Sequence, residues 1–532
     1  MDFLKHFLYS TYTILVKPIV RPIEKQLAFF ILLYLLLISP DIFQMVFVNS
    51  YIPLAKSLSG IIICYIFILP IPFIKHKLRI WYKALVVSIS AHLFIIDLLL
   101  ISLYGATFST FLPDAVIVVR ETNVQEIFEF INTYLTPTKF LVLIAISTIL
   151  CLLFFWSNKI RIQFNTTVRV LTFLLLAFSS IFYIDLISRY KQSNYYLLFT
   201  TQKHDLREYR QTPKVEHVIN SPSTIVLIIG ESFSKLHSSL YGYEKQTNPY
   251  LSRLSNEGQL TIYDNIKSSA TYTVMSFRGM MMSYAEDICN DTDWYRRLTI
   301  FDVMRSAGYR TYWISNQYKL DEIGRYSLLS DESYFVSDYN SILEDSFDEM
   351  VFPLIERCKQ SKEYNTNNRF IIVHLSGSHV DYIKRYPKDY SQFKTDEYNE
   401  SHQHLTQENR TILAEYDNSV LYNDFIVYSI MQQFQNEDAI VFYLSDHGEE
   451  LFESNNEFFG HGVTSNPEIV LNVPFMIHTT PLFKEHRQLL QERIEESLHN
   501  EYRLDSLMYT VMDIAGIEKV DGVSYKHKSV FN

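Results

Sequence analysis

Cysteine is scarce in this 532-residue chain: there are four, at positions 64, 151, 289 and 358, and none of the intervals between them matches a metal-binding spacing. A cysteine-built metal site is thereby excluded. Basic charge is also short, with 47 Lys and Arg against 58 Asp and Glu and a formal net charge of −11. That balance, without a basic aromatic-rich stripe, argues against nucleic acid as a partner. No small-residue cleavage site follows the first apolar segment, which argues against a cleaved secretory leader. Glycine numbers only 14. What is abundant is apolar: 48% of the residues are hydrophobic and 15% aromatic, and they are concentrated in the first ~190 positions.

Five stretches there, near 27–49, 57–74, 84–105, 139–157 and 168–187, approach the ~20 residues that cross a hydrocarbon core as helix. Lys5, Lys17, Arg21 and Lys25 precede the first; Lys75, Lys77, Arg79 and Lys83 fall between the second and third; Lys159, Arg161 and Arg169 fall between the fourth and fifth. The remaining long loop carries Asp114, Glu121, Glu126 and Glu129. Basic loops stay in the cytoplasm, so the N-terminus is expected inside and everything beyond ~188 outside. Three regions follow: 1–187 as a transmembrane domain of five helices, 188–222 as a polar connector, and 223–532 as a soluble domain. Cys289 and Cys358 belong to the outer part, where one disulfide would be chemically permitted.

Beyond 223 the pattern changes to short apolar runs separated by helix-like segments. The runs are TIVLIIGES (224–232), TYWISNQ (311–317), FIIVHLSGSH (370–379) and AIVFYLSDHGEE (439–450). Continuous Val, Ile and Phe mark strands buried on both faces, hence a parallel sheet covered by helices such as 299–307 and 415–435. In such α/β sheets ligands bind beyond the carboxyl ends of the strands. Each run ends in polar residues at that edge: Glu231, Asn316-Gln317, His379 and Asp446-His447.

Glu231, Asp446 and His447 together form an oxygen and nitrogen donor set for a divalent metal, most simply Zn2+, with a coordination position left for a nucleophile or substrate. The segment IKSSATYTVMSFRGMM (266–281) offers hydroxyls that a metal or base would activate. Spacing alone leaves Ser268, Ser269, Thr271, Thr273 and Ser276 open. His379 and His461 have the chemistry to hold a phosphate or to protonate a leaving group.

The stretch IIGESFSKLHSSLYGYEKQTNPYLSRL (228–254), followed in order by GSHVDY (377–382), EYDNSVLYND (415–424), SDHGEEL (445–451) and GHG (460–462), resembles the membrane phosphoethanolamine transferases of the alkaline phosphatase/sulfatase superfamily. The resemblance implies five N-terminal membrane helices in the bacterial inner membrane and a periplasmic α/β sulfatase-like domain. It implies transfer of phosphoethanolamine from phosphatidylethanolamine to lipopolysaccharide, at core sugar or lipid A, through a zinc-activated threonine. Matching of the Thr-x-x-Ser context to Thr273-Val-Met-Ser276 implies Thr273 as nucleophile, with Thr271 as the fallback. By the same matching Glu231, Asp446 and His447 bind zinc with Thr273, and His379 and His461 contact the transferred phosphate or an additional zinc. In the outer loop, ETNVQEIFEF (121–130) implies Thr122 and Glu126 as substrate contacts. Two alternatives remain: a glycerophosphate transferase or polymerase of the same fold, and a non-catalytic envelope protein, which would have lost a metal ligand. A sulfatase proper is disfavoured because 266–281 holds no Cys/Ser-x-Pro-x-Arg stretch.

Overall fold

The computed structural model describes residues 2–48, 54–104, 137–160, 162–192, 205–217, 221–283, 294–319, 322–339, 346–365, 368–454, 458–462 and 465–532. Thr122, Glu126 and Cys289 lie outside the described residues. Two compact units divide the chain, the first reaching to Thr201 and the second running from Gln202 to the C-terminus.

Among the described residues the first unit is built from helices. Two helices, α1 (Asp2–Thr11) and α2 (Lys17–Lys25), are joined by a single π turn and precede α3 (Leu27–Val48). Then come α4 (Leu54–Ile68), α5 (His76–Tyr104), α6 (Pro137–Ser157) and α7 (Thr166–Gln192). α3 to α7 fall on the five apolar stretches of the sequence. Their core is built from Phe29, Leu33, Ile62, Ile68, Val86 and Phe154. Many other apolar side chains face outward, among them Trp81, Leu85, Leu141, Leu152 and Ile181, as helices bathed in hydrocarbon require. Among the described residues, His76–Leu98 and Thr166–Ile184 are by themselves long and apolar enough to cross a membrane; Ser57–Phe73 and Leu141–Ser157 are shorter. The segment Tyr9–Lys25 meets Leu27–Phe43 at a bend of 76°.

The second unit is an α/β layered domain, as the alternation of runs predicts. Its seven-stranded sheet contains β1 (Thr224–Gly230), β2 (Leu260–Tyr263), β3 (Tyr309–Ser315), β4 (Glu332–Phe335), β5 (Asn368–His374), β6 (Ala439–Ser445) and β7 (Phe475–Thr479). The spatial order is β2-β7-β6-β1-β5-β3-β4. β6, β1, β5, β3 and β4 are mutually parallel, and β7 is antiparallel to both of its neighbours. Every residue of β1 and β6 is buried, because helices cover both faces of the sheet. Val226, Ile228, Ile371, Val373, Val441 and Tyr443 pack with Leu251 and Leu254 of α8 (Pro249–Asn256) and with Val420, Ile426 and Ile430 of α11 (Gln407–Gln433) in one core. The other face meets α9 (Thr273–Met281) and α10 (Ile300–Ser306) through Phe277 against His374 and Phe301 against Phe370.

Local chemistry sets the helix ends. Thr299 and Asp302 form a capping box at the start of α10, and Gly308, at φ +87°, follows its end. α11 begins at Gln407, eight residues before the predicted 415, because the Thr406 hydroxyl accepts from Asn409 N–H and caps it there. The opening residues of that helix are polar, so periodicity did not show them. Part of the stretch expected to be a connector forms a strand. This strand, Val215–His217, pairs antiparallel with Ile517–Val520 of the soluble unit.

Candidate active site

β1 and β6 are adjacent and in register, with Gly230 opposite Ser445. The residues that follow them, Glu231 and Asp446, therefore emerge side by side at the carboxyl edge, and Asp446 N–H continues the ladder to Gly230 O at 3.2 Å. Glu231, Asp446 and His447 are each at most 1% exposed. His447 Nε2 lies 3.0 Å from Glu231 Oε1 and 3.4 Å from Asp446 Oδ2. Its Nδ1 donates to the Gly448 carbonyl at 2.9 Å, which leaves Nε2 as the nitrogen turned towards the carboxylates.

Tight backbone geometry holds Glu231 in place. Ser232 adopts φ +56°, a left-handed conformation uncommon outside glycine, and its N–H donates to Asp446 Oδ1. Gly377, at φ +55°, runs so close that a Cβ would stand 2.6 Å from both Glu231 N and Glu231 O. Ser378 N–H donates to Glu231 O at 2.9 Å. The loop carrying Gly377 is fixed in turn by the buried Asp348, which accepts from the N–H groups of Ser376 and Gly377.

Without a cation these groups are electrostatically unbalanced. Burial opposes ionisation of Glu231, but the His447 imidazolium outweighs it and holds the carboxyl below its ordinary range. Burial and the Glu231 charge push Asp446 well above the usual carboxylate range. His447 is raised to about 10: burial works against its charge, and the Asp446 and Glu231 carboxylates overcome that. Asp446 Oδ2 is buried without a hydrogen bond among the described residues, a costly state for a carboxylate oxygen. The ligand atoms of Glu231, Asp446 and His447 all lie within 4.8 Å of one another. Two carboxylates, one of them with a buried oxygen lacking a hydrogen bond, and one imidazole match the donor set of Zn2+.

Thr273 is the first residue of α9. Its Oγ1 stands 3.2 Å from His447 Nε2 and 3.3 and 3.4 Å from the two carboxylate oxygens of Glu231. Neighbouring hydroxyls are engaged elsewhere. Ser268 bonds Ser276 and the Asp446 carbonyl, Ser269 donates to Ser276 O, and Ser276 donates to Ala270 O. The Thr271 carbonyl accepts from Gly462 N–H, tying this loop to His461.

His461 stacks beside His447 with ring centroids 4.1 Å apart, and His379 lies 6.0 Å from His461. His461 Nδ1 meets Glu449 Oε2 at 2.7 Å, and the other oxygen of Glu449 accepts from Tyr382 O–H at 2.5 Å. His379 Nδ1 donates to Val380 O. The structure thus gathers Glu231, Thr273, His379, Asp446, His447 and His461 at one edge. Asn316 and Gln317, expected at the same rim, do support work instead: Asn316 donates to Ser346 O and Asp348, and Gln317 donates to Leu375 O. Glu449 was visible in the acidic run after His447 but had no assigned task. Asp348 carried no signal in the sequence, since its partners lie 28 and 29 residues away.

Residues 223–517 match the model of the Sulfatase family. The chain belongs to the sulfatase family. Among curated sulfatase-family relatives, phosphoethanolamine transferase EptC of Escherichia coli K12 is 28% identical over 324 residues, 56% of this chain and 52% of the relative. Phosphoethanolamine transferase EptA of Helicobacter pylori is 30% identical over 277 residues, 51% of this chain and 50% of the relative. The chain spans about half the length of the curated relatives it matches. The sulfatase fold also superposes on the zinc complex of the C-terminal periplasmic domain of EptC from Escherichia coli, with TM-score 0.53, 26% identity, 60% of this chain and 90% of that one. The integral membrane lipooligosaccharide phosphoethanolamine transferase A of Neisseria meningitidis shares the fold over 95% of this chain and 97% of its own, with TM-score 0.62 and 18% identity.

Proposed function

We propose that the chain is a membrane-embedded phosphoethanolamine transferase. It takes phosphoethanolamine from phosphatidylethanolamine, holds it on Thr273 and passes it to a lipopolysaccharide acceptor, core sugar or lipid A. The observation that carries this reading is the convergence of the Thr273 hydroxyl on Glu231 and His447, 3.2 Å from the imidazole nitrogen. The names of its relatives, phosphoethanolamine transferases, support the choice of transferred group.

Glu231, Asp446, His447 and Thr273 would hold a zinc ion, which when bound supplies the positive charge that favours the threonine alkoxide and neutralises phosphoryl oxygens. The remaining chemistry belongs to the side chains. Thr273 oxygen forms a bond to the donor phosphorus as the bond to the diacylglycerol oxygen breaks, and that oxygen takes a proton from His379 or His461. In the second half the acceptor oxygen attacks the phosphothreonine, Thr273 oxygen leaves, and the same histidines take up the acceptor proton. Glu449, bonded to His461 Nδ1, keeps that ring turned so that Nε2 faces the site. The start of α9 adds the positive end of its peptide dipoles at the phosphoryl group. Five crossings with a cytoplasmic N-terminus would set this unit in the periplasm. Thr122 and Glu126 would then contact the donor lipid.

The test is peptide mass spectrometry on zinc-loaded full-length protein incubated with phosphatidylethanolamine, with Thr273→Ala alongside. A phosphoethanolamine adduct on the 266–281 peptide, absent in the variant, is expected. An adduct that persists in the variant moves the nucleophile to Thr271 or a nearby serine. An adduct formed from phosphatidylglycerol alone overturns the donor assignment in favour of glycerophosphate transfer.

A further inference from the structure

We propose that α1 and α2 form an amphipathic platform lying in the plane of the membrane interface, and that its cations bind anionic phospholipid headgroups at the leaflet facing the basic loops. The catalytic reading makes no use of this segment. Four features of the first unit carry the inference.

The platform turns away from the bundle axis. The segment Tyr9–Lys25 is bent by 76° from Leu27–Phe43, so α2 crosses the end of the bundle instead of extending α3. At the bend Gln26 leaves helical geometry, at φ −127° and ψ 24°, while its N–H still closes onto Pro22 O and Ile23 O.

The platform is also held at that angle. Arg169, in the first turn of α7, forks onto Glu24 with contacts of 2.8 and 3.1 Å and donates to Tyr12 O–H at 3.0 Å. Tyr65, near the end of α4, donates to Ile19 O at 2.8 Å. Val16, Val20 and Ile23 form the inward face, each at most 7% exposed.

The opposite face is partitioned. Lys17, Arg21 and Lys25 recur every four residues, which places them on one side of α2, and all three are exposed. Towards the N-terminus several large apolar residues are exposed: Phe7 is 59% exposed, Tyr9 70% and Ile14 72%. Such side chains left open in water would be unfavourable. At the boundary between headgroups and acyl chains they are buried, while long cationic side chains reach back to the phosphates.

Finally, outside its ion pair the charge on α2 has one sign. Glu24 is taken by Arg169, which leaves the row of Lys17, Arg21 and Lys25 to face the lipid, on the end that carries Lys75 and Lys77. Three cations in nine residues oppose full immersion of α2 as a re-entrant segment. They suit a surface rich in anionic lipid.

The experiment uses the full chain in nanodiscs of phosphatidylcholine with and without phosphatidylglycerol. Nitroxides are placed singly at positions 14 and 21 of a cysteine-free chain, and their collision with oxygen and with a water-soluble nickel chelate is measured. The label at 14 is expected to favour oxygen, at a depth just below the phosphates, and the label at 21 to favour nickel. A label at 14 as nickel-accessible as one at Asp521 overturns the proposal, and two labels equally deep replace it with a re-entrant segment. A second measurement keeps native cysteines and unlabelled protein. The preference for spin-labelled phosphatidylglycerol over phosphatidylcholine is compared between the native chain and Lys17→Gln/Arg21→Gln/Lys25→Gln. A loss of roughly fivefold or more, diminished by salt, is expected; an unchanged preference overturns the headgroup assignment.

Discussion

Asp446 shows how unevenly the two oxygens of one buried carboxylate can be satisfied. Its Oδ1 accepts from His447 N–H and Ser232 N–H, while Oδ2 has no hydrogen bond among the described residues. Asp446→Asn keeps the acceptor and removes a charge that repels Glu231. The apoprotein is therefore expected to melt at the same or a higher temperature than the native apoprotein, whereas the rise on adding zinc should vanish. Parallel melting curves with and without zinc check both halves. Gly377→Ala is expected to act in the opposite way. A Cβ 2.6 Å from the Glu231 backbone, on a left-handed residue that costs about 1–2 kcal/mol without glycine, should lower stability with or without metal. Denaturant titration of the two forms decides it. Glu231, Asp446 and His447 were legible in the sequence because each ends an apolar run; Gly377 and Asp348 were not, because their task is defined by what approaches them.

At the scale of elements, α11 braces the loops that leave β1 and β6. Tyr416 O–H donates to Ser232 O and accepts from Ser234 N–H, each at 2.7 Å. Next to it, Asp417 holds His237 Nδ1 at 2.6 Å and accepts from Tyr243 and Tyr398. His237 reaches Glu453, beyond the His447 loop, at 3.7 Å. Burial disfavours the His237 charge, but Asp417 and then Glu453 outweigh it and raise the pKa to about 9. A folded value above the unfolded ~6.5 means that this stabilisation is complete below pH ~6.5 and is lost as pH rises through about 9. Its upper bound is on the order of 3 kcal/mol. Between pH 6.5 and 9.5 the native protein should therefore lose more stability than His237→Gln, as read by denaturant midpoints across that range. The motif containing His237 was plain in the sequence as a resemblance, yet its role as a brace was not, since Asp417 is 180 residues away.

For the whole molecule, the proposed zinc site would make stability depend on chelation in one unit only. Zinc at a thousandfold excess over its dissociation constant adds about 4 kcal/mol to the unit that binds it, roughly 10 °C in a domain of this size. EDTA dialysis should lower the melting transition of the second unit by that order, leave the helical ellipticity of the first unit unchanged, and be reversed by zinc. A transition indifferent to EDTA and zinc would contradict the donor set read from Glu231, Asp446 and His447.

The sequence alone determined what depends on composition and local pattern. Apolar length marked out α3 to α7, uninterrupted Val, Ile and Phe runs marked the buried strands, and polar residues at their ends marked the edge where the site lies. These follow from solvent and backbone preferences that act within ten or twenty residues. Tertiary structure decided what depends on distance between remote parts of the chain. Of the five hydroxyls it placed Thr273 beside Glu231 and His447, at the start of α9, while Ser268, Ser269 and Ser276 are engaged by one another, by the Ala270 carbonyl and by the Asp446 carbonyl. It turned Asn316 from the rim to Asp348, and folded α2 across the bundle, because side-chain partners far apart in sequence are chosen only when strands and helices pack.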